Sequence, residues 1–161
     1  FVYNKGFNDE LTMLLAKLNC FKIKNSKNPD GSATEASKLL NNLEASIGVK
    51  VAVGTFDRNS AGTHINYGVF MLYDPFLRGE LELGVERDPM ASLVHESWHA
   101  YEILKGEAPK SPNPVQKRNA EIRATYVENI YRKASGLNLR TKYQLGFTNH
   151  KIPHQMEIIN L

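Results

Sequence analysis

The sequence predicts an α+β fold: a single domain over residues 1–161, in which a small sheet packs on one helix and a second helix lies alongside. Three observations predict it. Two late segments carry apolar residues at helical spacing between clear start and stop signals, the first from Asp88-Pro89 to Gly106 and the second ending at Gly136. The stretch from Val49 to Val85 is rich in β-branched and aromatic residues, partly in alternation. A length of 161 residues, with 42% hydrophobic and 23% charged residues, suits one ordinary hydrophobic core.

From the start of the chain, Phe1-Val2-Tyr3-Asn4-Lys5-Gly6 does not read as a signal peptide, because no long apolar stretch follows a charged start. The lack of an initiator Met predicts a domain cut from a longer protein or a processed product. Leu11, Leu14, Leu15 and Leu18 predict a helix over about 8–18, capped by Asn8 or Asp9. Asn28-Pro29-Asp30-Gly31 is a turn signal, and Ser32-Ala33-Thr34-Glu35 reads as a capping box. The helix it opens has Leu39, Leu40 and Leu43 as its core face and ends near Gly48.

Extended segments are expected over 49–56 and 63–73, with a third over 79–85. Asp88 as N-cap and Pro89 at the first helical position start the next helix, which runs to Lys105. Residues 107–114 hold three prolines and form a loop, and a long helix follows over about 115–134. The last 25 residues read as irregular, apart from a short strand near Ile158.

Composition excludes several functions. No apolar run is long enough to cross a bilayer. Cys20 is the only cysteine, so no internal disulfide forms and the chain suits a reducing compartment; the residue itself reads as small core filling. A net charge of +3 with scattered Lys and Arg gives no argument for nucleic acid.

The sharpest local signal is His95-Glu96-Ser97-Trp98-His99. Residues four apart share a helix face, so both imidazoles can reach one zinc ion. Glu96 sits beside the first ligand, where it can take a proton from an attacking water. Met90, Leu93, Val94, Tyr101 and Leu104 fall on the opposite side and predict a buried stripe, with Trp98 as packing.

A catalytic zinc needs a third protein ligand. Metzincin-type proteases place Gly three and His six residues after the second His; Glu102 and Lys105 occupy those positions and exclude that class. His64, His150 and His154 are weaker candidates, more simply read as structural or surface residues. The next helix offers Glu121, Thr125, Glu128 and Arg132 on one face. Glu121, nearest the start of that helix, is the expected ligand. Glu128 either orients an imidazole from behind or forms a surface ion pair with Arg132.

Leu93-Val94-His95-Glu96-Ser97-Trp98-His99-Ala100-Tyr101, Glu121-Ile122-Arg123-Ala124-Thr125 and Gly136-Leu137-Asn138-Leu139-Arg140-Thr141-Lys142-Tyr143 together resemble the NleD-like effector zinc metalloproteases of bacteria. The similarity covers roughly 65–143 and departs in the Ser-Trp pair inside the zinc motif. It implies a zincin-like fold, a Glu third ligand, and a role as a secreted or injected effector or toxin domain that cuts a protein in the cytoplasm of a target cell. An immunity or delivery partner belongs to the same implication. The Arg140-x-x-Tyr143 spacing also resembles the light chains of clostridial neurotoxins, where such a pair faces the zinc. A cation and a phenol aimed at a developing oxyanion would stabilise it. On spacing alone, Arg140 in a surface salt bridge and Tyr143 in the core are the simpler reading.

The leading expectation is therefore a zinc endopeptidase with His95, His99 and Glu121 as ligands and Glu96, Arg140 and Tyr143 as catalytic groups. Two others stand beside it: a protein-binding module that keeps zinc for stability, and a zinc amidase acting on a non-protein substrate. The sequence fixes neither the substrate nor the oligomeric state.

Overall fold

The computed structural model describes residues 2–5, 25, 27–34, 37–38, 50–53, 56–64, 68–74 and 76–153. The expected helix over 8–18, Cys20, Ile158 and His154 lie outside them, as does most of the helix expected up to Gly48. The architecture is α+β.

A mixed four-stranded sheet is built from β1 (Val2–Lys5), β2 (Lys50–Val53), β3 (Ser60–His64) and β4 (Gly68–Tyr73), in the order β1-β2-β4-β3. β1 and β4 run parallel to β2, and β3 pairs antiparallel with β4, from Ser60 opposite Leu72 to His64 opposite Gly68. The segment expected as one strand over 63–73 is thus the second half of a hairpin. Gly68, at φ +69°, takes a left-handed conformation that other residues adopt only with strain, and it marks where β4 begins.

The strand expected over 79–85 is likewise a small hairpin, β5 (Glu80–Glu82) and β6 (Val85–Glu86). It turns at Leu83-Gly84, where Glu80 Oε1 accepts the Gly84 N–H at 2.9 Å. A third correction falls in the tail. Residues read as irregular form a hairpin of β7 (Lys142–Leu145) and β8 (Thr148–Lys151) across Gly146-Phe147. Its strands are too short for alternation to stand out, and the one clear mark is a glycine at the first turn position, φ +61°.

The turn at 28–31 forms as expected, with the Gly31 N–H on Asn28 O at 2.9 Å. The cap after it is shifted: Thr34 Oγ1 accepts the Ser37 N–H at 3.0 Å, while the Ser32 hydroxyl bonds Asp30. Ser32 is drawn back into the turn by a nearer acceptor, which leaves Thr34 to cap.

Both late helices match their signals closely. Helix α1 (Pro89–Leu104) is capped by Asp88, whose carboxylate accepts the Ala91 N–H. Helix α2 (Pro114–Ala134) opens on a full capping box between Asn113 and Gln116. Gly106 and Gly136, at φ +72° and +70°, stop them.

The core lies between sheet and helices. Val69, Met71 and Tyr73, every second residue of β4, pack against Met90, Leu93, Val94 and Tyr101 of α1 and Ala124, Val127 and Tyr131 of α2. Each large side chain buried here contributes about 1.5–3 kcal/mol. The Tyr73 hydroxyl donates to Pro89 O at 2.8 Å and ties β4 to the start of α1. Leu104, expected in the buried stripe, is 37% exposed, because it falls in the last turn of α1 beyond the sheet. No helix of the described residues is long and apolar enough to cross a membrane.

Helix α2 has an unusual inner surface. Its polar stripe is buried: Thr125, Glu128 and Arg132 have exposures of 0%, 2% and 1%, whereas Ile122 and Ile130 are only partly covered. Burying charges on that scale requires partners, and those partners define the candidate site.

Candidate metal centre

Cross-helix pairs fix how α1 meets α2. His95 reaches Glu128, His99 reaches Glu121, and Glu102 reaches Arg123, so the helices run antiparallel. This brings the polar stripe of α2 onto the histidine face of α1.

Glu121 Oε2 lies 3.1 Å from His95 Nε2 and 3.4 Å from His99 Nε2. The three residues form a group whose potential ligand atoms all lie within 4.8 Å of one another. The two rings meet edge to face, 5.1 Å between centroids. His99 Nε2 is sealed from solvent and has no aligned hydrogen-bond partner among the described residues. An orphaned imidazole nitrogen beside a carboxylate is what a metal site leaves when its ion is removed. Tetrahedral zinc, with ligand bonds of about 2.0–2.1 Å, spaces neighbouring ligand atoms about 3.3 Å apart, and the two nitrogen-to-oxygen separations fall on either side of that value. The group can hold a metal ion.

Behind His95 stands Glu128. Its Oε2 accepts from His95 Nδ1 at 3.1 Å, which leaves Nε2 to face Glu121 and His99. The same carboxylate takes Arg132 Nε at 2.7 Å and Arg140 Nη1 at 2.9 Å. Both alternatives posed for Glu128 therefore hold together: it backs an imidazole and it pairs with Arg132. The pair is not on the surface, since both side chains are 2% exposed.

Electrostatics follow from this crowding. Burial pushes the His95 imidazole down, but hydrogen bonds to Glu121 and Glu128 reverse this and raise it to about 9. Burial raises Glu128, yet the His95 hydrogen bond and the charges of His95, Arg140 and Arg132 outweigh it and hold the carboxyl at about 2. Glu121, likewise opposed by burial, is held well below the usual range by both histidines. Glu96 moves the other way: burial pushes it up, and the nearby imidazoles only partly offset this. A carboxylate raised in this way is a stronger base than an exposed one.

Tyr143 and Arg140 complete the surroundings. The Tyr143 ring stacks on His95, with centroids 6.0 Å apart and planes 15° from parallel. Burial, followed by the charge of Glu121, pushes its phenol up. The Arg140 guanidinium lies 5.1 Å over the Tyr143 ring and is buried against Glu128 instead of standing free in a cleft. Its Nε is sealed without a partner. His150 is the cross-strand neighbour of Tyr143 in β8 and is not part of the three-residue group. Of His64 only the backbone, at the end of β3, is described.

Sequence reasoning missed what holds Arg140 in place. Asn129 Nδ2 donates to Arg140 O at 2.8 Å and its Oδ1 accepts the Arg140 N–H at 2.9 Å, as a neighbouring strand would. Arg132 Nη1 reaches Asn138 O at 3.2 Å and Nη2 reaches Glu86 O at 3.0 Å. Glu82 Oε1 accepts from the Thr141 N–H and hydroxyl, and Oε2 from the Lys142 N–H. Residues 138–142 are thus strapped down by three side chains from two elements. No local pattern signals this, because Asn129 and Glu82 look like ordinary surface residues of a helix and a strand.

Compared with family models, with curated proteins and with solved structures, the chain matches none of them.

Proposed function

We propose that this chain is a zinc-dependent endopeptidase of zincin type, a bacterial effector or toxin domain acting on a protein in a target cell. One observation carries the reading: His95 Nε2, His99 Nε2 and a Glu121 oxygen converge, with a buried, raised Glu96 on the same helix and Glu128 backing His95. The similarity of the three motifs to the NleD-like effector proteases supports the same reading and supplies the cellular role.

His95, His99 and Glu121 would hold the ion, which, when bound, lowers the pKa of a coordinated water toward about 7 and polarises a carbonyl. Glu96 accepts the proton of the attacking water and passes it to the leaving amine. Glu128 keeps His95 in one tautomer and orientation. Tyr143 would present its phenol to the oxygen where negative charge develops, while Arg140, expected as a second donor, is held by Glu128 and supports the Tyr143 ring from above.

The deciding experiment compares wild type with Glu96→Gln in target cells by proteomic detection of new protein termini. Termini seen only with wild type, and one zinc per chain in both proteins, are expected. Equal activity of Glu96→Gln removes the mechanism. Zinc in both proteins with no cleavage by either would leave a zinc-stabilised binding module instead.

A further inference from the structure

The β7–β8 hairpin has two unlike faces. Lys142 pairs with Lys151, Tyr143 with His150, Gln144 with Asn149 and Leu145 with Thr148, and cross-strand partners share a face. Lys142, Gln144, Asn149 and Lys151 are all exposed and make the solvent side. The other side carries Tyr143, Leu145 and His150, all partly covered, with Thr148 exposed at the turn end, and beyond the strand it continues to Ile152, 4% exposed. Tyr143 shows where that side looks, because its ring stacks on His95. His150 therefore faces the metal centre from beside Tyr143, with side chains about 4.5–5.5 Å apart at Cβ.

The His150 side chain has no hydrogen bond or ion pair among the described residues. The ring is half-exposed and neither nitrogen is sealed from solvent, so an N–H can be offered to a molecule bound beside Tyr143. Lys142 and Lys151 stand directly opposite one another, an unfavourable like-charge pair, with no carboxylate on either side chain among the described residues. The hairpin thus offers an N–H donor on its inner side and two lysines on its solvent side, where the Glu82 carboxylate accepts the Lys142 N–H at 3.2 Å.

We propose that His150 contacts the substrate, donating an imidazole N–H to an oxygen-bearing side chain (Asp, Glu, Asn or Gln) close to the scissile bond. The assignment rests on the protease reading above and adds a specificity-determining residue to it.

The test digests a proteome-derived peptide library with the zinc-loaded chain as wild type, His150→Gln and His150→Phe. Gln keeps an N–H donor, whereas Phe keeps a flat ring and removes it. Wild type should enrich oxygen-bearing side chains at one position beside the cut. His150→Phe should lose that enrichment, with KM on the best-cut peptide rising about three- to tenfold and kcat changing less. His150→Gln should retain part of the enrichment, and all three proteins should bind one zinc. If all three give the same cleavage profile, the inference falls and the protease reading stands. Loss of zinc in both variants would make His150 a ligand and overturn the assignment. If zinc-loaded wild type cuts nothing, the proposed function fails and this inference fails with it.

Discussion

Two carboxylate centres join α1 to α2, and they are built on opposite principles. At Glu102, 3% exposed, each acceptor oxygen is used: Oε1 takes Trp98 Nε1 at 2.8 Å and Arg123 Nε, and Oε2 takes Arg123 Nη2 at 3.1 Å. Two turns along α1, around His95, atoms are left over: His99 Nε2, Thr125 Oγ1 and Arg140 Nε are buried without an aligned hydrogen-bond partner among the described residues. A satisfied network holds two helices together and asks for nothing further. An unsatisfied one costs stability, and such debts persist where a ligand or a reaction settles them.

Four experiments break or sharpen this contrast. The largest effect is expected from Glu96→Gln, which should lower turnover by about 10²–10⁴-fold with zinc content unchanged by metal analysis. Glu102→Gln measured beside it should leave more of the turnover, since Glu102 bonds Trp98 and Arg123 and neither metal-facing nitrogen. Glu128→Gln should weaken zinc binding by about 10–100-fold, read by competition with a chromophoric chelator. Unchanged affinity would show that Glu128 does nothing for His95. Glu102→Ala leaves the buried Trp98 N–H without its acceptor and should cost about 2 kcal/mol of stability. Denaturant unfolding of the metal-free chain measures this, and zinc affinity should hold.

The last experiment varies pH. In the metal-free chain the His95 pKa is raised to about 9. The raised value contributes stability that is fully present below the ordinary histidine pKa of about 6.5. It is lost as pH rises through about 9. Zinc must displace the His95 proton, so zinc affinity should climb by at most about tenfold per pH unit and flatten near pH 9. A flat affinity between pH 6 and pH 8 would mean that His95 is not a ligand.

The Glu102 centre was illegible in the sequence, and the metal centre was only partly legible. His95 and His99 lie four residues apart on one helix with Glu96 beside the first, and local geometry dictates the common face of the two imidazoles. Glu121 and Glu128 are seven apart on α2, so their shared face was also legible. The buried character of that face was not, because a stripe of Glu, Thr, Glu and Arg reads as solvated until a second helix is laid on it. Glu102 shows the same limit. Three residues after His99, the sequence marks it only as the residue that excludes a metzincin, yet Trp98 and Arg123 bond it inside the fold. The short tail hairpin went unread because four-residue strands carry too little alternation to register.

The sequence alone determined the helix ends at Asp88, Gly106 and Gly136, and the placing of two imidazoles four residues apart with a carboxylate beside the first. Caps, left-handed glycines and four-residue spacing act within a few residues of chain, so no distant contact can alter them. Only the tertiary structure decided that Glu121 meets both histidines while Glu128 backs one of them. It also decided that Asn129 and Glu82 strap down residues 138–142, and that His150 faces the site with Tyr143. Those outcomes depend on the rotation of one helix against another and on strand register, which side-chain packing over the whole core sets.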